Sequence, residues 1–155
     1  TKLNYKRLKR WEKTLKIDQG TQERIKKFNR NITWLVLTES WCGDAAHVMP
    51  VIYKIADLNP KIVVKVLLRD ENEGLMNKFL TNGGKAIPKL IMIDDASGEV
   101  LNSYGPRPSE ATELAIDFKA EHGELTPEFK ENLQRWYNKD KGQTAIKDLT
   151  TLLNV

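Results

Sequence analysis

The sequence predicts an α/β fold in which a central mixed four-stranded sheet is flanked by helices, with extra helices at both ends of the chain. Three observations carry this. "ITWLVLT" (Ile32 to Thr38) and "KIVVKVLL" (Lys61 to Leu68) are continuous apolar runs of strand length, separated by a helical segment. "PKLIMID" and "GEVLNSY" are two further strands whose connection, ending at Gly98, is too short for anything but an antiparallel hairpin. Amphipathic segments lie before the first strand and after the hairpin.

Taken in order, "NYKRLKRWEKTLKI" places Tyr5, Leu8, Trp11 and Leu15 along one buried side of a helix, with most Lys and Arg opposite. A second helix is expected over about Gln22 to Asn29, and then the first buried strand. A helix follows from about Gly43 to Leu58, bent or locally broken at Pro50. Lys61 to Leu68 reads as a second buried strand, parallel to the first through a right-handed crossover. Asp70 to Thr81 reads as a helix with acids in its first turn, where they suit the dipole, and Asn82 to Gly84 as a turn.

After the hairpin a helix is expected from about Ser109 to Glu121, following "GPRP". Thr126 then caps "PEFKENLQRWYNKD", with Pro127 at the first helical position. Phe129, Leu133, Trp136 and Tyr137 form an apolar stripe there that is expected to face the core, and a last helix after Gly142 carries Ile146, Leu149, Leu152 and Leu153. No repeat or linker divides the chain. The 155 residues therefore read as one domain, with a helical extension over 1–30, a core over 31–121 and a second extension over 122–155.

Hydrophobic content of 40% and charged content of 30% are those of an ordinary globular protein, and no apolar run is long enough for a membrane span. The charged first segment lacks the apolar stretch of a signal peptide. A single cysteine makes no internal disulfide, so a reducing cytoplasm is the expected setting. Residues 1–30 hold 11 Lys and Arg against 3 acids, which reads as a solvated helix face. Its aromatics fall on the buried side and offer no platform for bases, so nucleic acid is not expected as a partner.

"ESWCGDAAHVMP" (Glu39 to Pro50) holds that cysteine. Cys42 follows a buried strand and begins a helix, where unpaired N–H groups and the dipole favour thiolate. Asp44 opposes this by like-charge repulsion, and the helix start is expected to be the larger influence. His47 reads as a partly exposed helix residue rather than a general base. Cys42, Asp44 and His47 lie on one turn without a fourth ligand, so no metal is expected. Pro88 opens a strand; a cis Ile87–Pro88 bond would turn the Ile87 backbone towards the thiol.

With "WCGDA" at Trp41 to Ala45, Pro50 in the same helix, and Ile87-Pro88 before a hairpin, the chain resembles the thioredoxin superfamily. It is most similar to bacterial thioredoxin-like proteins with Asp inside the motif and "YGPRP" after the last strand, over about Ile32 to Glu121. The resemblance implies that Pro88 is a cis-proline facing the site and that Cys42 is an exposed attacking thiol. It implies further that Trp41, Gly43, Asp44, Ile87 and Pro88 form the surface receiving a substrate. Two positions depart from the pattern. Ala45 stands in place of the resolving cysteine, and Val36 stands where dithiol reductases bury an acid that serves that cysteine.

Ordinary dithiol reductase activity is therefore not expected. The leading expectation is a monothiol oxidoreductase: Cys42 forms a mixed disulfide that an external thiol resolves. Its partners would be a disulfide-bearing or glutathionylated protein or a small thiol. No cofactor is required, although glutathione or another small thiol could act as co-substrate. The alternative is a non-catalytic binding or adaptor module with a vestigial cysteine. Peroxidatic use lacks a supporting Thr or Arg at motif spacing. A monomer or weak dimer is expected.

Overall fold

The computed structural model describes residues 1–155. Helices α1 (Lys2–Thr14) and α2 (Gln19–Lys27) lead into strand β1 (Ile32–Thr38), helix α3 (Gly43–Asp57) and strand β2 (Ile62–Leu68). A 3₁₀ turn (Arg69–Glu71) and a short helix α4 (Glu73–Met76) follow. The hairpin β3 (Lys89–Asp94) and β4 (Val100–Tyr104) comes next, then α5 (Ser109–His122), α6 (Pro127–Asp140) and α7 (Gln143–Leu153). The sheet order is β2-β1-β3-β4. β1 runs parallel to β2, pairing Ile32 with Ile62 and Thr38 with Leu68, and antiparallel to β3.

This order makes β1 and β3 the central strands. Trp34, Val36, Leu37, Leu90, Ile91 and Met92 are accordingly buried almost completely. β2 corrects the expectation of a second buried strand. It pairs only with β1, and Val63, Val66 and Leu68 remain more than two-fifths exposed. An apolar run alone does not distinguish a central strand from an edge strand.

Residues 45–52 of α3 are buried without interruption. The helix is held between α1, β2 and α7, so it needs no polar face there. It continues through Pro50 to Asp57 rather than stopping. The terminal helices share the same core: Trp11 from α1, Ile25 from α2, Phe129, Leu133 and Tyr137 from α6, and Ile146, Leu149 and Leu153 from α7. Each fully buried side chain of this size contributes about 1.5–3 kcal/mol, and this burial docks helices whose propensity alone is weak.

Polar staples complete the docking. Asn59 donates to the carbonyls of Ile25 (2.9 Å) and Phe28 (2.8 Å) and accepts from the Lys61 N–H (3.0 Å), which joins the end of α2 to the start of β2. Asp148 on α7 accepts from the Tyr104 hydroxyl (2.7 Å) and the Ser109 N–H (2.8 Å). Thr126 caps α6 by accepting from the Phe129 N–H.

Three further expectations are corrected. The helix expected over 70–81 is reduced to the 3₁₀ turn and α4. The backbone breaks at Asn72 and only Met76 is buried, so no apolar stripe holds a longer helix. The second helix begins earlier, at Gln19, because Asp18 accepts from the Thr21 N–H and caps it there. In α1, Trp11 turns inward, but Tyr5 stays 63% exposed because nothing covers the start of that helix face.

Candidate functional site

Cys42 is the N-cap residue of α3, delivered by the end of β1. Its Sγ–H donates to the Ile87 carbonyl at 3.3 Å, and the Ile87–Pro88 peptide is cis. The segment before β3 therefore lies directly over the start of α3. Gly105, just after β4, packs its backbone against Pro88 from the other strand of the hairpin. Its φ is +106°, and a Cβ there would collide with the Pro88 carbonyl oxygen.

Trp41, Cys42, Gly43, Asp44 and Ile87 line one cleft of about 360 Å³. Pro88 is buried behind it and is not part of the lining. Arg69, Lys85 and Arg107 stand on the same cleft. The Trp41 indole is 53% exposed, and the Arg69 guanidinium sits 5.0 Å from its centroid in a cation–π contact.

Cys42 itself is only 7% exposed, which corrects the expectation of an exposed thiol. Its pKa is raised. Burial is the largest influence, and the Asp44 charge acts in the same direction; the Ala45 and Asp44 N–H groups and the Arg107 charge oppose them. The expectation that the helix start outweighs other influences is thus reversed. The decisive factor is desolvation by segments remote in sequence.

Asp44 is clamped. The Tyr137 hydroxyl donates to its Oδ1 at 2.8 Å, and Arg107 Nε approaches its Oδ2 at 3.3 Å, a charge contact without hydrogen-bond alignment. Burial and the neighbouring carboxylate push the Tyr137 phenol far up, so it stays a donor.

His47 is buried, not partly exposed. Trp11 Nε1–H donates to its Nδ1 at 2.7 Å, and Gln134 Oε1 lies 3.0 Å from its Nε2. An indole N–H can only donate, so the proton belongs on Nε2 and the ring is neutral. Burial lowers its pKa to about 4. With both nitrogens engaged and the ring stacked 4.1 Å from Tyr137, it is a structural bridge between α1, α3 and α6. No group of three or more His, Cys, Asp or Glu side chains gathers to hold a metal.

Ala45 and Val36 are both buried apolar residues, so neither a second thiol nor an acid accompanies Cys42 there. The sequence reading gives no site role to Arg107 or Gln134, and it places Tyr137 only on the core-facing stripe of α6. Arg107 stood in the quoted "YGPRP" string without an assigned partner, and no spacing rule links Tyr137 to Asp44.

A family model described as thioredoxin matches residues 1–122. The chain belongs to the thioredoxin family. The match includes α1 and α2 as well as the sheet. Among solved structures, a protein of unknown function, PA1234 from Pseudomonas aeruginosa, is similar at 17% identity and a TM-score of 0.75, covering 98% of this chain and 84% of that one. An HIV 4E10 epitope scaffold is similar at 19% identity and a TM-score of 0.72, covering 98% and 85%. At these identities both likenesses speak to the thioredoxin-like fold alone. No curated protein matches. No helix is long and apolar enough to cross a membrane.

Proposed function

We propose that this thioredoxin-family protein is a monothiol thiol–disulfide exchange protein, with Cys42 as its reacting group. The observation that carries the reading is the placement of the sulfur. It belongs to the N-cap residue of α3 and faces the Ile87 carbonyl, beside a cleft walled by Trp41, Gly43 and Asp44.

The chemistry needs one thiol. The Cys42 thiolate attacks one sulfur of a disulfide, forms a mixed disulfide and releases the other sulfur as thiolate. The methyl of Ala45 cannot attack this adduct, so an external thiolate such as glutathione displaces Cys42 and leaves with the bound sulfur. The substrate is a disulfide-bearing or glutathionylated protein or a small disulfide, and a small thiol serves as the resolving co-substrate. Pro88, behind Ile87, holds the backbone that meets the substrate. A cytoplasmic setting suits the required pool of small thiols.

The low exposure of Cys42 and its raised pKa favour a second reading, a binding module in which the cysteine is vestigial. Incubation with glutathione disulfide at pH 8.5, followed by mass spectrometry, separates the two. A Cys42 adduct that reduced glutathione removes, absent in Cys42→Ser, supports exchange. An unmodified folded protein after hours leaves the binding module.

A further inference from the structure

Cys42 lines a second cleft that the thiol–disulfide chemistry above does not use. It lies between α1, α3 and the edge strand β2 and encloses about 490 Å³. That volume falls within the roughly 300–1,000 Å³ of small-molecule sites. Thr38 and Leu68, the last residues of the parallel strands β1 and β2, are both in its lining. In open α/β sheets, ligands gather at that end of the strands.

Its walls are apolar. Tyr5, Ala46, Met49, Tyr53, Val66 and Leu68 supply most of them. Tyr5, Tyr53, Val66 and Leu68 are also among the exposed large hydrophobic side chains of the molecule, so apolar surface here faces water uncovered. No Lys, Arg or His lines the cleft, and its one carboxylate, Glu39, accepts from the Asp70 N–H. The lining also holds polar groups, among them Ser40 and Thr38, whose hydroxyl is buried without a hydrogen-bond partner. Ala45 adds a methyl beside the thiol.

These features select the occupant. No basic side chain lines the cleft, and the Thr1 ammonium on its rim is engaged by the Ser40 carbonyl, which disfavours an anionic ligand. The 14 lining residues are also fewer than the roughly 20–30 residues a side of a stable protein interface. We infer that this cleft seats the hydrocarbon chain of a small, uncharged aliphatic thiol or disulfide, with its sulfur at Cys42. The inference rests on the exchange reading and adds the substrate class.

Alkyl methanethiosulfonates probe both. The Cys42 thiolate attacks the sulfenyl sulfur, the S–S bond to the alkyl group forms, and methanesulfinate leaves with the electron pair. Rates for methyl, butyl and octyl reagents at pH 8.5 are measured and divided by those of free glutathione. A fully buried methylene is worth about fourfold, so partial seating of the octyl chain should raise the normalised rate at least about tenfold over methyl. Val66→Lys or Leu68→Lys, on the exposed edge strand, should bring the octyl-to-methyl ratio near one while circular dichroism stays native.

A parallel titration of Cys42→Ser with 1-octanol, followed by NMR shifts of cleft residues, reads the cleft without the thiol. Equal normalised rates with no octanol shifts would overturn the cleft and leave exchange standing. No reaction with even the methyl reagent, together with octanol binding, would overturn exchange and the sulfur-bearing ligand but keep an apolar cleft. A dimer that Val66→Lys disperses would assign the surface to a second copy and overturn the inference.

Discussion

The Tyr137 hydroxyl and the Asp44 carboxylate meet at 2.8 Å across 93 residues of sequence. This single bond ties α6 to the first turn of the helix that carries Cys42. With the Arg107 contact, it leaves Asp44 partly neutralised where its charge would otherwise act fully on the thiol.

Tyr137→Phe removes that donor and keeps the ring stacked on His47. Hydrogen bonds to charged groups are worth about 1.5–3 kcal/mol, so the variant should lose stability of that order in urea unfolding. The midpoint of Cys42 alkylation against pH should move upward, because Asp44 then repels the thiolate with less compensation. A midpoint that moves downward would contradict this electrostatic account.

Asp44→Asn should act in the opposite sense on the thiol. Removing the like charge eliminates one of the two influences that raise the Cys42 pKa. Alkylation at pH 7.5 should be faster than in the wild type, with the rate–pH midpoint lowered. Burial is the larger influence and persists, so the shift should be partial.

His47 makes stability depend on acid. Its folded pKa, about 4, lies below the ordinary 6.5. The stability it contributes is therefore present above about pH 6.5 and is lost as pH falls from there towards 4. A difference of this size corresponds to roughly 3 kcal/mol at most. Urea midpoints at pH 7 and pH 4.5 should differ less in His47→Gln than in the wild type, since that side chain does not titrate.

Gly105→Ala should disturb the site from outside it. The substitution combines a left-handed φ with a collision against the Pro88 carbonyl. A cost of about 1–3 kcal/mol is expected in thermal or urea unfolding. Amide shifts around Ile87 and Cys42 should report the displacement, whereas Gly74→Ala, which meets nothing within 4 Å, should leave them in place.

The order of the strands along the chain and the β1–β2 and β3–β4 pairings were legible because they follow from local periodicity and connection length. The hairpin and the docking faces of α6 and α7 come from patterns spanning fewer than twenty residues, and the parallel β1–β2 pair from the helix that connects them. The segment after β2 was misread because acids in a first turn suggest a helix but cannot supply the missing apolar stripe. The exposure of β2 was not legible either, since edge position depends on where the hairpin pairs.

The sequence by itself determined which groups stand at the start of α3: one thiol, a neighbouring acid, and alanine where a second thiol would resolve an adduct. Only the tertiary structure decided how that thiol ionises. Ile87 arrives from 45 residues away, Tyr137 from α6, and Arg107 from the loop after β4. Burial and charge act through space, so their sum at Cys42 is set by segments that the local sequence does not contain.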